Sequence, residues 1–289
     1  VAVEVWYFLE YTPQVEFYTR GSAELLLFRE SPRLTAGIVL ANRGERFGPF
    51  GFGVTETRRH DSRTVAHHRI ALAECLGVAP ERLLFQRQVH GTRISHAGER
   101  SLPTRWGALT PGQQPESDII ISDRPGLTLV LSVADCCPIL LFAATPGVVC
   151  AVHAGWRGTA AGAATAALRS LQRRYSVAAE SLTAWVGPCA GPLRYEVGPE
   201  VLAAFSDYSD CIRASQKWGR GFLNLSEINR RQLLSGGVPP AAITVAPYDT
   251  IGDRRFHSYR REGDDSGRMA AWIGLRGGSS SAGCNHPEQ

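Results

Sequence analysis

No apolar run in this 289-residue chain reaches the ~20 residues that a membrane-spanning helix needs. The most apolar stretch, 127–144, is interrupted by Asp135 and Pro138. No Cys-x-x-Cys pair occurs, which argues against a zinc ribbon or a thioredoxin-type site. The seven cysteines are odd in number and irregularly spaced, which argues against a disulfide framework and for a reducing compartment. Residues 1–10 carry acids within an apolar stretch and lack a basic start or a small-residue cleavage site, so they do not read as a signal peptide. Neither sign of charge dominates. Thirty-one basic residues face 27 acidic ones, a net charge of +4 carried mostly by Arg and interspersed with acids. Nucleic acid and membrane are therefore not expected partners, whereas an anionic ligand such as phosphate is compatible. The expected location is the cytoplasm.

What is present is ordinary globular composition, 44% hydrophobic and 20% charged, enough for a sizeable core. Residues 1–30 read as two short apolar segments parted by Thr12-Pro13. A buried strand is expected over 34–41, followed by a glycine-rich loop at 43–53. Apolar residues at Val65, Ile70, Leu72, Ala73 and Leu76 predict a helix over 62–76, with Gly77 where a C-terminal glycine belongs. The stretch 83–95 looks strand-like up to Gly91, and 101–116 reads as a polar loop. Strands at 127–133, 139–143 and 148–154, with a turn at Thr145-Pro146-Gly147, predict a hairpin. An Ala-rich helix is expected over 159–175, a strand at 182–187, helices at 200–205 and 225–234, and a strand at 243–246. With no internal repeat and no linker, one mixed α/β domain over 1–276 is expected, followed by a disordered tail at 277–289.

Chemistry concentrates around Asp135-Cys136-Cys137-Pro138. Successive strand side chains point to opposite faces, so Cys136 and Cys137 should not enter one site together. Pro138 lacks an amide donor and lets the backbone bulge toward a pocket. Both cysteines could equally be small core residues. Asp135, an acid between two apolar strands, needs a partner. The hairpin places His153 opposite about residue 139, a short diagonal from Cys136. A lone strand histidine is commonly a satisfied core residue, but a thiol and an imidazole converging on one hairpin favour a ligand pair. His90, before Gly91 at a strand end, could complete a set of three. Ligands of types N, S and N suit tetrahedral zinc with one open position. His67 and His68 lie on adjacent helix faces, and His60, His96 and His286 read as surface residues. The Gly155-Trp156-Arg157-Gly158 turn reads either as an anion site, with free amides and Arg157, or as a tight structural turn. The stretch 255–261 reads as a solvated strand edge or a pocket wall.

Taken together, Gln88-Val89-His90-Gly91, Ala134-Asp135-Cys136 with Pro138, and His153-Ala154-Gly155-Trp156-Arg157-Gly158 closely resemble one family. Gly187-Pro188, Tyr195-Glu196-Val197-Gly198, Ser258, Arg260 and Gly267-Arg268 extend the resemblance, which spans about 34–275. The family is that of the YfiH-like laccase-domain proteins, also described as purine nucleoside phosphorylases of unusual fold. The resemblance implies an α/β (α+β) fold, a four-layer α/β/β/α sandwich with mixed sheets. It also implies zinc (copper in some descriptions) on His90, Cys136 and His153. The implied activities are phosphorolysis of adenosine, inosine and methylthioadenosine, and deamination of adenosine. Candidate catalytic residues are Asp135, in proton transfer or in orienting a ligand, and Arg157. Candidate substrate contacts are Arg43, Gln88, Gly155 and Arg260. The chain departs from the family pattern at Asp249-Thr250 for a usual Cys-Thr, at Arg194 for a usual cysteine, and at His68-Arg69 for Asn-Arg. The usual Ser-Leu-Asn after the glycine-rich loop is missing. Two other chemistries stay open: a metal-free cysteine hydrolase with Cys136 as nucleophile and His153 as base, and a copper-dependent polyphenol oxidase. Oligomeric state is left open.

Overall fold

The structure, a computed structural model, describes residues 16–20, 23–44, 46–98 and 114–277. The first predicted apolar segment and nearly all of the predicted tail lie outside them. The first strands are β1 (Glu16–Arg20), β2 (Ala23–Glu30), β3 (Leu34–Val39), β4 (Leu83–Leu84) and β5 (Ile94–Ala97). The middle of the chain supplies β6 (Ile119–Ser122), β7 (Thr128–Val133), β8 (Cys137–Ala143), β9 (Val148–Ala154) and β10 (Leu182–Val186). The last are β11 (Glu196–Val197), β12 (Ile212–Ala214), β13 (Gly221–Leu223), β14 (Ile243–Val245) and β15 (Met269–Leu275). The helices are α1 (Ser62–Leu76), α2 (Trp156–Ala160), α3 (Ala163–Tyr175), α4 (Pro199–Ala203), α5 (Leu225–Ser235) and α6 (Tyr259–Glu262).

Two six-stranded sheets, ordered β1-β2-β3-β15-β7-β4 and β14-β10-β8-β9-β6-β5, stack face to face, and β11-β13-β12 form a small third sheet. Both large sheets are mixed: β4 runs parallel to β7, β5 to β6 and β10 to β14, and the other pairs are antiparallel. Side-chain alternation sorts the residues into layers. Ile139 and Leu141 face α3 and α5, whereas Leu140 between them faces the other sheet with Ile38, Leu131 and Ile273. The first sheet turns Leu25, Val39 and Trp272 to α1. The result is the expected four-layer α/β/β/α sandwich. Gly37 is required where it stands: Trp272 lies opposite on β15, and a Cβ on Gly37 would come within 2.6 Å of its ring. Among the described residues no helix is long and apolar enough to cross a membrane, and the six described cysteines are free.

α1 matches its predicted span. Asp61 accepts from the Thr64 amide at 2.8 Å, and Gly77 closes the helix at φ 67. The predicted helix over 159–175 is instead two helices, because Gly162 adopts φ 75 between α2 and α3. The stretch 83–95 forms a ladder only at β4 and β5. Between them Arg87 makes a single parallel bridge to Glu116, and the Gln88 side chain clamps β7, donating to Ser132 O at 2.8 Å and accepting from Ser132 N at 2.7 Å. The stretch 255–261 is no strand edge: Phe256, His257 and Ser258 are buried and α6 begins at Tyr259.

His60 also corrects the sequence reading, being buried at 1% exposure. It packs edge-on to His68 (5.6 Å) and His257 (6.2 Å), with Nε2 donating to Gly51 O at 2.8 Å. Burial pulls the His68 imidazole down to about 4, partly offset by its bond to Gly53, and burial likewise lowers His257. These rings fold neutral, so the unfolded chain takes up protons first as pH falls. Stability is therefore fully present above the ordinary histidine range, near pH 6.5, and declines toward pH 4. Urea midpoints measured at pH 7.5 and 4.5 should fall with acidification, and His68→Gln should shrink that fall. An unchanged difference in the variant would refute the role of His68.

Candidate metal centre

The site forms where the layer between the two sheets runs out. On β9, Val149 and Ala151 face the opposite sheet. His153 follows in that alternation and emerges at the layer's edge, 2% exposed. It pairs with Pro138, one residue from the expected register. The His153 amide points to the other neighbouring strand and donates to Asp118 O at 2.8 Å, which extends the β6–β9 pairing. Cys136 occupies the bend between β7 and β8. Cys137 points the other way into the helix-side core, as alternation required.

Asp118, wholly buried just before β6, joins these parts and was not found from sequence. Its Oδ1 accepts from His153 Nδ1 at 2.9 Å and from the His90 amide at 2.9 Å. Its Oδ2 accepts from the amides of Gly91 (2.7 Å) and Val89 (3.3 Å). Three successive amides wrapped on one carboxylate hold His90 at φ 59, a region non-glycine residues seldom occupy. The bond from Nδ1 leaves Nε2 of His153 facing the site. The only sequence signal for Asp118 was an acid directly preceding a short apolar strand.

His90, Cys136 and His153 bring their donor atoms within 4.8 Å of one another, and the imidazoles sit edge to face with centroids 4.8 Å apart. Burial alone would push the Cys136 thiol up, but His153 and His90 outweigh it and bring it down to about 6. Burial would depress His153, yet Cys136 and Asp118 raise it to about 9. A thiolate and two imidazoles in reach of one ion, one imidazole braced by a carboxylate, are donors that fit zinc. Gly155 permits the approach: a Cβ there would meet Cys136 Sγ at 2.8 Å and His90 Cδ2 at 3.2 Å.

The three residues open into a cavity of about 640 Å³, lined also by Gln88, Arg69, Gln86, Tyr259 and Arg268. Of the candidate residues, Gln88, His90, Cys136 and His153 meet at this wall. Asp135, Arg157, Arg43, Gly155 and Arg260 are not among the described lining residues. The Asp135 carboxylate is occupied by Thr250 Oγ1 (2.6 Å), Ser258 Oγ (3.0 Å) and the Arg260 amide (2.6 Å). It pins two loops behind Cys136, with Asp135 itself at φ 80. Arg157 lies over the Trp156 ring at 4.2 Å. Arg43 binds Glu262 at 2.5 Å, and Arg260 donates to Glu196 O at 2.7 Å. The positions where the family pattern has cysteines form an ion pair, Arg194 to Asp249 at 3.1 Å, and Asp249 also caps Gly191 N at 2.8 Å. That loop is therefore closed by charge.

A His-Cys-His cluster at the mouth of a four-layer sandwich defines a class. The family described as multi-copper polyphenol oxidoreductase laccase matches residues 42–276, and the chain belongs to it. It is similar to "Purine nucleoside phosphorylase YlmD" of Geobacillus stearothermophilus, 34% identical over 83% of this chain and 90% of that protein. It is also similar to "Adenosine deaminase RL5" of an unknown prokaryotic organism, 31% identical over 74% of this chain and 82% of that protein. The solved structure of hypothetical protein YfiH from Bacillus licheniformis superposes with a TM-score of 0.82 at 29% identity, covering 92% of this chain and all of that one.

Because Asp118 both orients His153 and shapes the His90 loop, Asp118→Asn should lower zinc affinity by about 10–100-fold. Competition with a chromophoric chelator measures this directly. Wild-type affinity in the variant would mean that the carboxylate is not part of the site.

Proposed function

We propose that this chain is a zinc-dependent purine nucleoside phosphorylase. It converts adenosine, inosine or methylthioadenosine, with phosphate, to the free base and the corresponding ribose 1-phosphate, and it can also deaminate adenosine. The observation that carries the reading is the His90–Cys136–His153 set facing a nucleoside-sized cavity with an arginine-rich wall. Relatives named for each of the two activities support it.

Zinc on these residues would supply Lewis acidity toward a substrate oxygen. The rest falls to the chain. In phosphorolysis a phosphate oxygen attacks ribose C1′, and the C1′–N9 bond breaks with its electron pair leaving on the purine. The work of the site is then to hold two reactants in line and to offset phosphate charge. Gln88, clamped to Ser132, fixes the wall between β7 and the His90 loop. Tyr259, half exposed with its hydroxyl on Asp264 at 3.2 Å, offers a ring face at the cavity for a base or sugar. One described group of three metal-capable side chains suits a single ion better than a multicopper centre.

One observation favours a second chemistry. Cys136, His153 and Asp118 line up as nucleophile, base and orienting acid, which would serve a metal-free hydrolase. His90, which such a triad does not need, favours the metal. Chromatography of adenosine and inosine reactions with and without phosphate separates these readings. Phosphate-dependent base release should disappear on chelation, return with one zinc per chain, and fall at least 100-fold in His90→Ala. Inosine formed from adenosine without phosphate would instead make deamination the principal activity. Turnover that survives chelation would overturn the zinc reading.

A further inference from the structure

Beyond the metal-capable side chains, the cavity is lined by several that can donate hydrogen bonds, among them Arg69, Gln86, Gln114 and Arg268. Gln86 is 6% exposed; its Oε1 accepts from Ser117 Oγ at 2.9 Å, and its Nε2 has no partner. Gln114, on the same cavity, also has a buried Nε2 without a partner. Buried donors without acceptors are costly, and two of them on residues that line one cavity point to a ligand that supplies the acceptors once it settles against this wall.

Beside them stand two arginines tied to a single residue. The Val54 carbonyl accepts from Arg69 Nε at 2.9 Å, and the Val54 amide donates to Arg268 O at 3.0 Å. Arg69 is buried, with its guanidinium 4.0 Å over the Phe85 ring. The Arg268 guanidinium lies 5.3 Å over Tyr259 and donates to Ser266 O and Gly267 O. A third lining arginine, Arg87, pairs with Glu116, and the lining acid Asp264 takes the Tyr259 hydroxyl. Burial draws Arg69 down to about 10, still charged at neutral pH, so this wall carries positive charge with little water to screen it.

We propose that Arg69, Gln86, Gln114 and Arg268 form an oxyanion subsite that takes inorganic phosphate. The assignment rests on the phosphorylase reading and deepens it. A tetrahedral oxyanion presents acceptors in every direction and meets amide and guanidinium donors without conflict. The edge of an aminopurine alternates donor and acceptor, so its amino group would face another donor on this wall. These four residues and the three metal-capable side chains line one cavity of about 640 Å³, room for a nucleoside and an oxyanion together.

The test is calorimetric titration of the zinc-loaded protein with inorganic phosphate, alongside phosphate KM in nucleoside turnover. Gln86→Glu places a carboxylate in the subsite and should weaken phosphate binding at least tenfold, while zinc content stays at one per chain. Arg69→Lys keeps a charge but loses the fork and the Val54 bond, and should also raise Kd and KM for phosphate about tenfold. Melting temperatures close to wild type show that the variants are folded, and Arg169→Gln on the exposed face of α3 should leave phosphate affinity unchanged. Wild-type phosphate affinity in both folded variants, with phosphate-dependent turnover intact, overturns the subsite and leaves the phosphorylase reading standing. Phosphate binding that these variants weaken, in a protein that releases no base, supports the subsite and overturns the phosphorylase reading. Wild-type protein that binds no phosphate overturns the subsite.

Discussion

A carboxylate with no exposure to water must be satisfied by its surroundings, and the way Asp118 is satisfied builds the site. It receives the amides of Val89, His90 and Gly91 and the Nδ1–H of His153, so one side chain sets a loop conformation and an imidazole tautomer together. Burial would push this carboxyl up; His153 and the Gly91 and His90 amides outweigh that and hold it below the usual range. Its charge in turn helps keep His153 basic. Removing the carboxylate would release the His90 loop as well as the ring, so the two ligands are coupled through it.

The sandwich explains why the ligands converge. At the end that holds the site, the inter-sheet core stops at Val133 on β7, Leu140 on β8 and Ala151 on β9. Cys136 and His153 emerge at that end from neighbouring strands, and the Gln88 clamp on Ser132 brings the His90 loop beside them. Two residues with positive φ, His90 and Asp135, flank the centre, and each is locked by carboxylate hydrogen bonds. Backbone strain is thus held in place by buried charge, while Gly155 leaves room for the sulfur.

Features governed by local periodicity were legible in the sequence. The caps and apolar spacing of α1, the β8–β9 hairpin to within one residue, and the opposite facing of Cys136 and Cys137 follow from rules that act over a few positions. Features governed by tertiary partners were not. Asp118 meets residues 27–35 positions away, and the burial of His60 and His257 depends on a loop folding against the 255–258 turn. The break at Gly162 was hidden because an Ala-rich run gives strong helical signal on both sides of it. Arg157 and Asp135 sit in the most specific motifs, yet the structure uses Asp135 to pin loops, and the cationic wall comes from Arg69 and Arg268, remote in sequence from those motifs.

The proposed activity depends on one ion held by two imidazoles and one thiolate, those of His90, His153 and Cys136. X-ray absorption at the zinc edge of the purified protein tests it most directly. The prediction is one sulfur at about 2.3 Å and two imidazole nitrogens at about 2.0 Å, with a light atom completing the shell. In Cys136→Ser the sulfur contribution should vanish. A shell without sulfur in the wild-type protein, or one that keeps its sulfur in Cys136→Ser, would contradict a His-Cys-His zinc centre.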